Sequence, residues 1–173
     1  VSGLVTAVEP RPHPGGGQVL SVVIENDYQD TPASALEPHL DLSGLTKEEI
    51  VSIIGEAGIV GMGGATFPTD VKTVAGMGRV DTLIANACEC EPYITADDAL
   101  LCTYPEQVLR GMGVLMAVLE PKRAVLAVED NKSEAVGILK KQMETFPGIE
   151  LLVLPTRYPQ GAEKQLIQAV TGR

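Results

Sequence analysis

Apolar residues change their spacing along the chain, and the changes divide it. "GLVTAVE" (3–9) and "VLSVVIE" (19–25) are rich in β-branched residues and alternate in part, which predicts two strands within residues 1–30. "PRPHPGGGQ" between them supplies proline and glycine for a turn. Residues 27–44, "DYQDTPASALEPHLDLSG", lose the apolar rhythm, and a linker is placed at 31–45. From residue 46 helical spacing alternates with short unbroken apolar runs, which predicts helices separated by buried strands.

This second region, 46–173, opens with Thr46-x-x-Glu49, a capping box, and Ile50, Ile53, Ile54 and Ala57 then share one helix face. A further helix is expected from near Thr69. Strands are predicted at 80–87 ("VDTLIANA"), 123–129 ("RAVLAVE") and 149–155 ("IELLVLP"). Thr103-x-x-Glu106 is expected to cap a helix with Val108, Met112, Leu115, Met116 and Leu119 inward. Asn131-x-x-Glu134 is expected to cap the next, carrying Ala135, Leu139 and Met143, and a last helix covers about 162–170. Strands joined through helices imply parallel pairing by right-handed crossovers. The fold class is therefore α/β: a parallel Rossmann-like sheet with helices on both faces, preceded by a small β segment.

Composition narrows the function classes. Aromatic residues make up 3% of the chain, with no Trp, so a core drawn from the 45% apolar content must be aliphatic. A formal charge of -10 leaves no basic stripe for phosphates, so no nucleic acid is expected as a partner. No apolar run approaches the ~20 residues of a membrane-spanning helix, and no direct membrane insertion is expected. Cys88, Cys90 and Cys102 make neither a disulfide framework nor a CxxC pair, which suits a reducing compartment. The start at Val1 within a strand pattern and the end at "TGR" read as the limits of a piece of a longer chain.

Ligands of open α/β sheets bind at the carboxyl ends of strands. Three polar clusters fall there: "NACECEPY" (86–93), "EDN" (129–131) and "PTRYPQGAEK" (155–164). A glycine loop precedes them, with Gly58, Gly61, Gly63 and Gly64 close together and Lys72 following. Such a loop either turns the chain between two helices or brings backbone N–H groups close around an anion, aided by the start of the next helix and by Lys72. It fits neither the Walker A spacing nor GxGxxG. Glu89, Glu91, Asp97 and Asp98 read as a solvated acidic rim rather than a metal site, and Cys88 and Cys90 as small residues packed at a strand end.

"GMGGATFPTDVK" (61–72), "NACECEPYITADD" (86–98) and "RYPQGAEKQLI" (157–167) together resemble the C subunit of the Rnf/Rsx electron transport complex. That family is related to the NADH-binding flavoprotein subunit of respiratory complex I, and the resemblance covers almost the whole chain. "SGLVTAVEPRPHPGGGQVLSVVIE" (2–25) resembles part of that subunit's barrel-sandwich, lipoyl-like region.

The resemblance implies FMN and NADH as cofactors. Gly61, Gly63, Gly64 and Ala65 would face the flavin phosphate or ring, with Lys72 near the flavin and Phe67 offering a surface to the adenine of the nicotinamide nucleotide. Asn86 and Glu89 would be flavin contacts and Glu91 a dinucleotide contact. Tyr158, Gly161 and Glu163 would stand for the family's YxxGEE segment. The sequence departs from the family at Met62 for an arginine, Thr66 for a glycine, and Cys88 and Ala162 for acidic residues. No catalytic general base and no metal site is implied. The [4Fe-4S] clusters of the family would belong to a part following Arg173.

The implied activity is hydride transfer between NADH and FMN, with one-electron transfer onward to iron–sulfur centres elsewhere, since flavin handles both electron counts. The implied setting is peripheral, at the cytoplasmic face of the cell membrane, with other subunits of an ion-translocating ferredoxin:NAD oxidoreductase and NAD(H) as partners. Two alternatives stand beside it. One is a related soluble flavoprotein, of the cobalamin reductase or proline reductase electron-carrier type. The other is a docking module that has lost the cofactor.

Overall fold

The computed structural model describes residues 1–32, 41–62 and 66–173. Residues 33–40, inside the expected linker, and Gly63, Gly64 and Ala65 lie outside the described residues. The chain forms two compact units, Val1–Asp41 and Leu42–Arg173.

In the first unit β1 (Gly3–Pro12) pairs antiparallel with β2 (Gln18–Asn26), with a bulge between Val5 and Ala7. The turn closes through Gly16 N–H donating to His13 O, and Gly16 and Gly17 both take positive φ, where a side chain would be strained. Apolar side chains on both faces of the hairpin, among them Leu4, Val8, Leu20 and Val22, are exposed.

The second unit begins with α1 (Lys47–Glu56), capped by the expected box: Thr46 Oγ1 accepts from Glu49 N, and Glu49 Oε2 accepts from Thr46 N. Then follow α2 (Thr69–Gly76), β3 (Thr82–Ala87), α3 (Ala96–Thr103), α4 (Pro105–Leu119), β4 (Arg123–Glu129), α5 (Ser133–Gln142), β5 (Ile149–Leu154) and α6 (Glu163–Thr171). β3, β4 and β5 form a parallel sheet in that order.

Central strand β4 explains the continuous apolar run of "RAVLAVE". Ala124, Leu126 and Val128 face Leu101, Leu109, Met112, Ala135 and Leu139 from α3, α4 and α5. Val125 and Ala127 face Leu166 and Val170 of α6 on the other side. Each such Leu or Val contributes roughly 1.5–3 kcal/mol by leaving water. The other side of α4, through Val118, packs on Ile50, Val51 and Ile54 of α1.

Two expected caps are corrected. Thr103 ends α3 instead of capping α4. Pro105 suits the first helical position, so the cap falls on Tyr104, which makes no side-chain cap bond. Asn131 does not cap α5 either. Its N–H donates to Thr156 Oγ1, and Lys132 takes the cap position. Helix α3 was not expected at all.

Candidate functional site

The glycine loop is pinched at its base. Gly61 N–H donates to Phe67 O at 2.9 Å, Thr69 N–H donates to Ile59 O at 3.0 Å, and Val60 and Pro68 form an isolated bridge. The pinch launches α2 immediately after Pro68 and sets Lys72 one turn along it. Thr66 holds a φ of 51°, a left-handed conformation that a β-branched residue adopts at a cost. This is the position where the family resemblance has glycine.

A groove of about 510 Å³ runs along β3 between α2, α4 and α6. Lys72, Thr69 and Thr73 line it from α2, Asn86 from β3 and Glu163 from α6, while Leu83, Leu115, Leu119 and Leu166 give it apolar walls. Its size and its mix of apolar walls with a few polar groups fit a small-molecule site. Lys72 beside the start of α2 suits an anionic group.

The strand-end loops are fastened to one another beside this groove. Asn86 Oδ1 accepts from Cys88 N, and its Nδ2 donates to Gly161 O at 2.8 Å. Gly161 N–H donates to Cys90 Sγ at 3.1 Å. A Cβ at Gly161 would stand 2.0 Å from Cys88 O, so the two loops approach as only glycine allows. Asp130 Oδ1 accepts from both the backbone N and the hydroxyl of Thr156, and these bonds hold its carboxyl below the usual range.

Three of the sequence-predicted residues, Lys72, Asn86 and Glu163, thus line one groove. Gly61 and Phe67 meet each other in the pinched loop, with Phe67 exposed. Glu91 and Tyr158 are exposed on the loops. Glu89 departs from the expected solvated rim: its side chain is 4% exposed, and it faces Lys132. Burial of the acid is possible because the lysine compensates its charge. Cys88 is buried as expected, and loss of water together with Glu129, Cys90 and Asp97 pushes its thiol up to about 12, so it stays protonated. Asp97 is pushed up by loss of water and by the carboxylates of Glu89 and Glu91. Lys132 and the Asp130–Thr156 lock were missed. The polar run "EDNK" after an apolar strand was their one local signal.

Residues 54–173 match the model of the Complex1_51K family, the Nuo51 FMN-binding domain. The chain belongs to this family. It is 44% identical over 172 residues to the C subunit of the ion-translocating oxidoreductase complex of Vibrio cholerae serotype O1, covering 98% of this chain and 22% of that protein. It is 45% identical over 174 residues to the C subunit of the Na(+)-translocating ferredoxin:NAD(+) oxidoreductase complex of Acetobacterium woodii, covering 100% of this chain and 39% of that one. Among solved structures, a chain of an NAD+-reducing [NiFe]-hydrogenase in the air-oxidised state superposes with a TM-score of 0.68 at 27% identity, over 74% of this chain and 24% of that chain. The chain therefore spans well under half the length of each of these proteins.

Proposed function

We propose that this chain is the flavin-binding part of an Rnf-type C subunit, binding FMN and exchanging a hydride between FMN and NADH for onward transfer to iron–sulfur centres outside it. The observation that carries the reading is the groove along β3, where Lys72, Asn86 and Glu163, from three separate motifs, face one space. Flavin supplies the switch between two-electron and one-electron chemistry when bound. The chain's own groups bind and orient. Lys72 takes the anionic end, Gly61, Gly63, Gly64 and Ala65 let the backbone approach, and Asn86 and Gly161 fix the loops above β3. Phe67, Glu91 and Tyr158, exposed on their loops, serve the nicotinamide nucleotide. No helix among the described residues is long and apolar enough to cross a membrane. The partners assigned to it are the other subunits of a membrane-bound complex, met at its cytoplasmic face. The hairpin is assigned to a barrel-sandwich domain, with 31–45 as its linker to the flavin domain.

Titrating the full chain with FMN while following flavin fluorescence tests this reading. Saturable quenching is expected, with Lys72→Ala weakening it about tenfold through loss of a charge-assisted contact. Glu91→Ala should raise KM for NADH and leave flavin content intact. Absence of quenching by the unaltered chain overturns the reading, and unchanged constants in the variants overturn the two assignments.

A further inference from the structure

The Lys132–Glu89 pair lies at the ends of two different strands. Nζ stands 2.8 Å from Oε2, and the side chains are 10% and 4% exposed. Removing one partner from so dry a pair leaves an uncompensated charge, which is strongly destabilising. The other oxygen of Glu89 accepts from Asp97 N–H at 2.8 Å, near the start of α3. One carboxylate therefore ties the loop after β3 both to α3 and to the start of α5. Asp98 and Glu129 also act on the ammonium, which the three carboxylates hold above its usual pKa. Glu129 is 2% exposed. Asp98 Oδ1 is shut off from water without a hydrogen-bond partner among the described residues. A single lysine thus offsets a group of carboxylates next to the loop that Asn86 anchors.

Resting on the flavin reading above, we propose that Lys132 is a positioning residue for the flavin site: sealed against Glu89, it holds in place the carboxylate that joins the loop after β3 to α3, and offsets buried negative charge that would otherwise oppose electron uptake at that site. Without it the loop loosens and the field at the strand ends turns more negative. Reduced flavin carries more electron density than oxidised flavin, so its binding suffers more.

The test measures the midpoint potential of FMN bound to the full chain by reductive titration with dithionite, and the exchange rate of the Asp97 amide hydrogen. Lys132→Met should weaken reduced FMN about tenfold more than oxidised FMN, equivalent to a fall of ~30 mV for a two-electron couple. It should also speed exchange at Asp97. Lys132→Arg keeps the charge and should restore both. Glu89→Gln removes a negative charge and should move the potential the opposite way, which keeps the idea open to refutation if Lys132→Met does not fold. An unmoved potential in both Lys132→Met and Glu89→Gln overturns the proposal, as does Asp97 exchange that ignores Lys132. If the unaltered chain binds no FMN, the flavin reading falls by itself, and exchange at Asp97 still decides whether Lys132 holds the loop.

Discussion

Strand β4 and the β1–β2 hairpin share a richness in aliphatic residues and meet opposite fates. Ala124 to Val128 are buried on both faces, between α3, α4 and α5 on one side and α6 on the other. In the hairpin Leu4, Val8, Leu20 and Val22 stand in solvent, with Leu20 74% exposed. Both pair well along their ladders. The difference is the layer that covers the side chains. A strand's hydrogen bonds fix its register, but its contribution to stability comes from what packs on its faces. A two-stranded hairpin has no such layer of its own and is marginal by itself in water.

The largest expected effect sharpens this contrast. Leu126→Ala should cost about 3 kcal/mol, because a fully buried side chain is lost from a packed core. Leu20→Ala should change stability by less than about 0.5 kcal/mol. Denaturant unfolding of the two variants measures both. A loss above about 2 kcal/mol for Leu20→Ala would break the comparison and mean that something covers the hairpin in the full chain.

The contrast also explains what was legible in the sequence. The run of β4 was readable because burial on both faces removes the need for polar positions. The Thr46 box was readable because both partners lie within one turn. Helix α3 was not, because its N-terminus gets no side-chain bond from its own cap residue, Thr95, and is served by the Glu89 side chain from outside. The groove was legible only in part. Its motifs were visible, but the bond from Asn86 to Gly161 joins residues 75 apart and depends on parallel strand register. Lys132 was hidden for the same reason: its partner stands at the end of a different strand.

A medium effect is expected where those loops touch. Gly161→Ala should cost about 1–3 kcal/mol, since its Cβ would strike backbone that the sheet holds still. Gly137→Ala, in the exposed middle of α5 with nothing within 4 Å of the added atom, should gain about 0.5–1 kcal/mol. Thermal unfolding of the pair separates close approach from simple chain flexibility. Equal effects from the two substitutions would mean that the Gly161 contact gives way cheaply.

The smallest expected effect is a pair of opposite pH responses, one from each unit. In the hairpin unit Asp27 accepts from the Ser2 hydroxyl and from Gln29 N–H, which hold its carboxyl below the usual range. Its stabilisation is present above the unfolded pKa of about 3.9 and is lost as pH falls through the lower folded value. Asp97, in the first turn of α3, is the reverse. Loss of water and repulsion from Glu89 and Glu91 push its carboxyl up, against the attraction of the helix N-terminus for a negative charge. The folded state then holds the proton more tightly, so stability declines as pH rises from about 3.9 through the raised value, and the penalty persists at pH 7. Asp97→Asn removes that penalty while its N–H still donates to Glu89, so a gain under about 1 kcal/mol is expected at pH 7 after screening by water. Asp27→Asn should lose stability at pH 7. Both differences should shrink as pH falls below the unfolded value of about 3.9 and the aspartates take up protons. Urea midpoints of both variants across this range provide the measurement. A loss at pH 7 for Asp97→Asn would show that the helix dipole outweighs the neighbouring carboxylates, and the rim of the sheet unit would then hold its negative charge as favourably as the hairpin unit does.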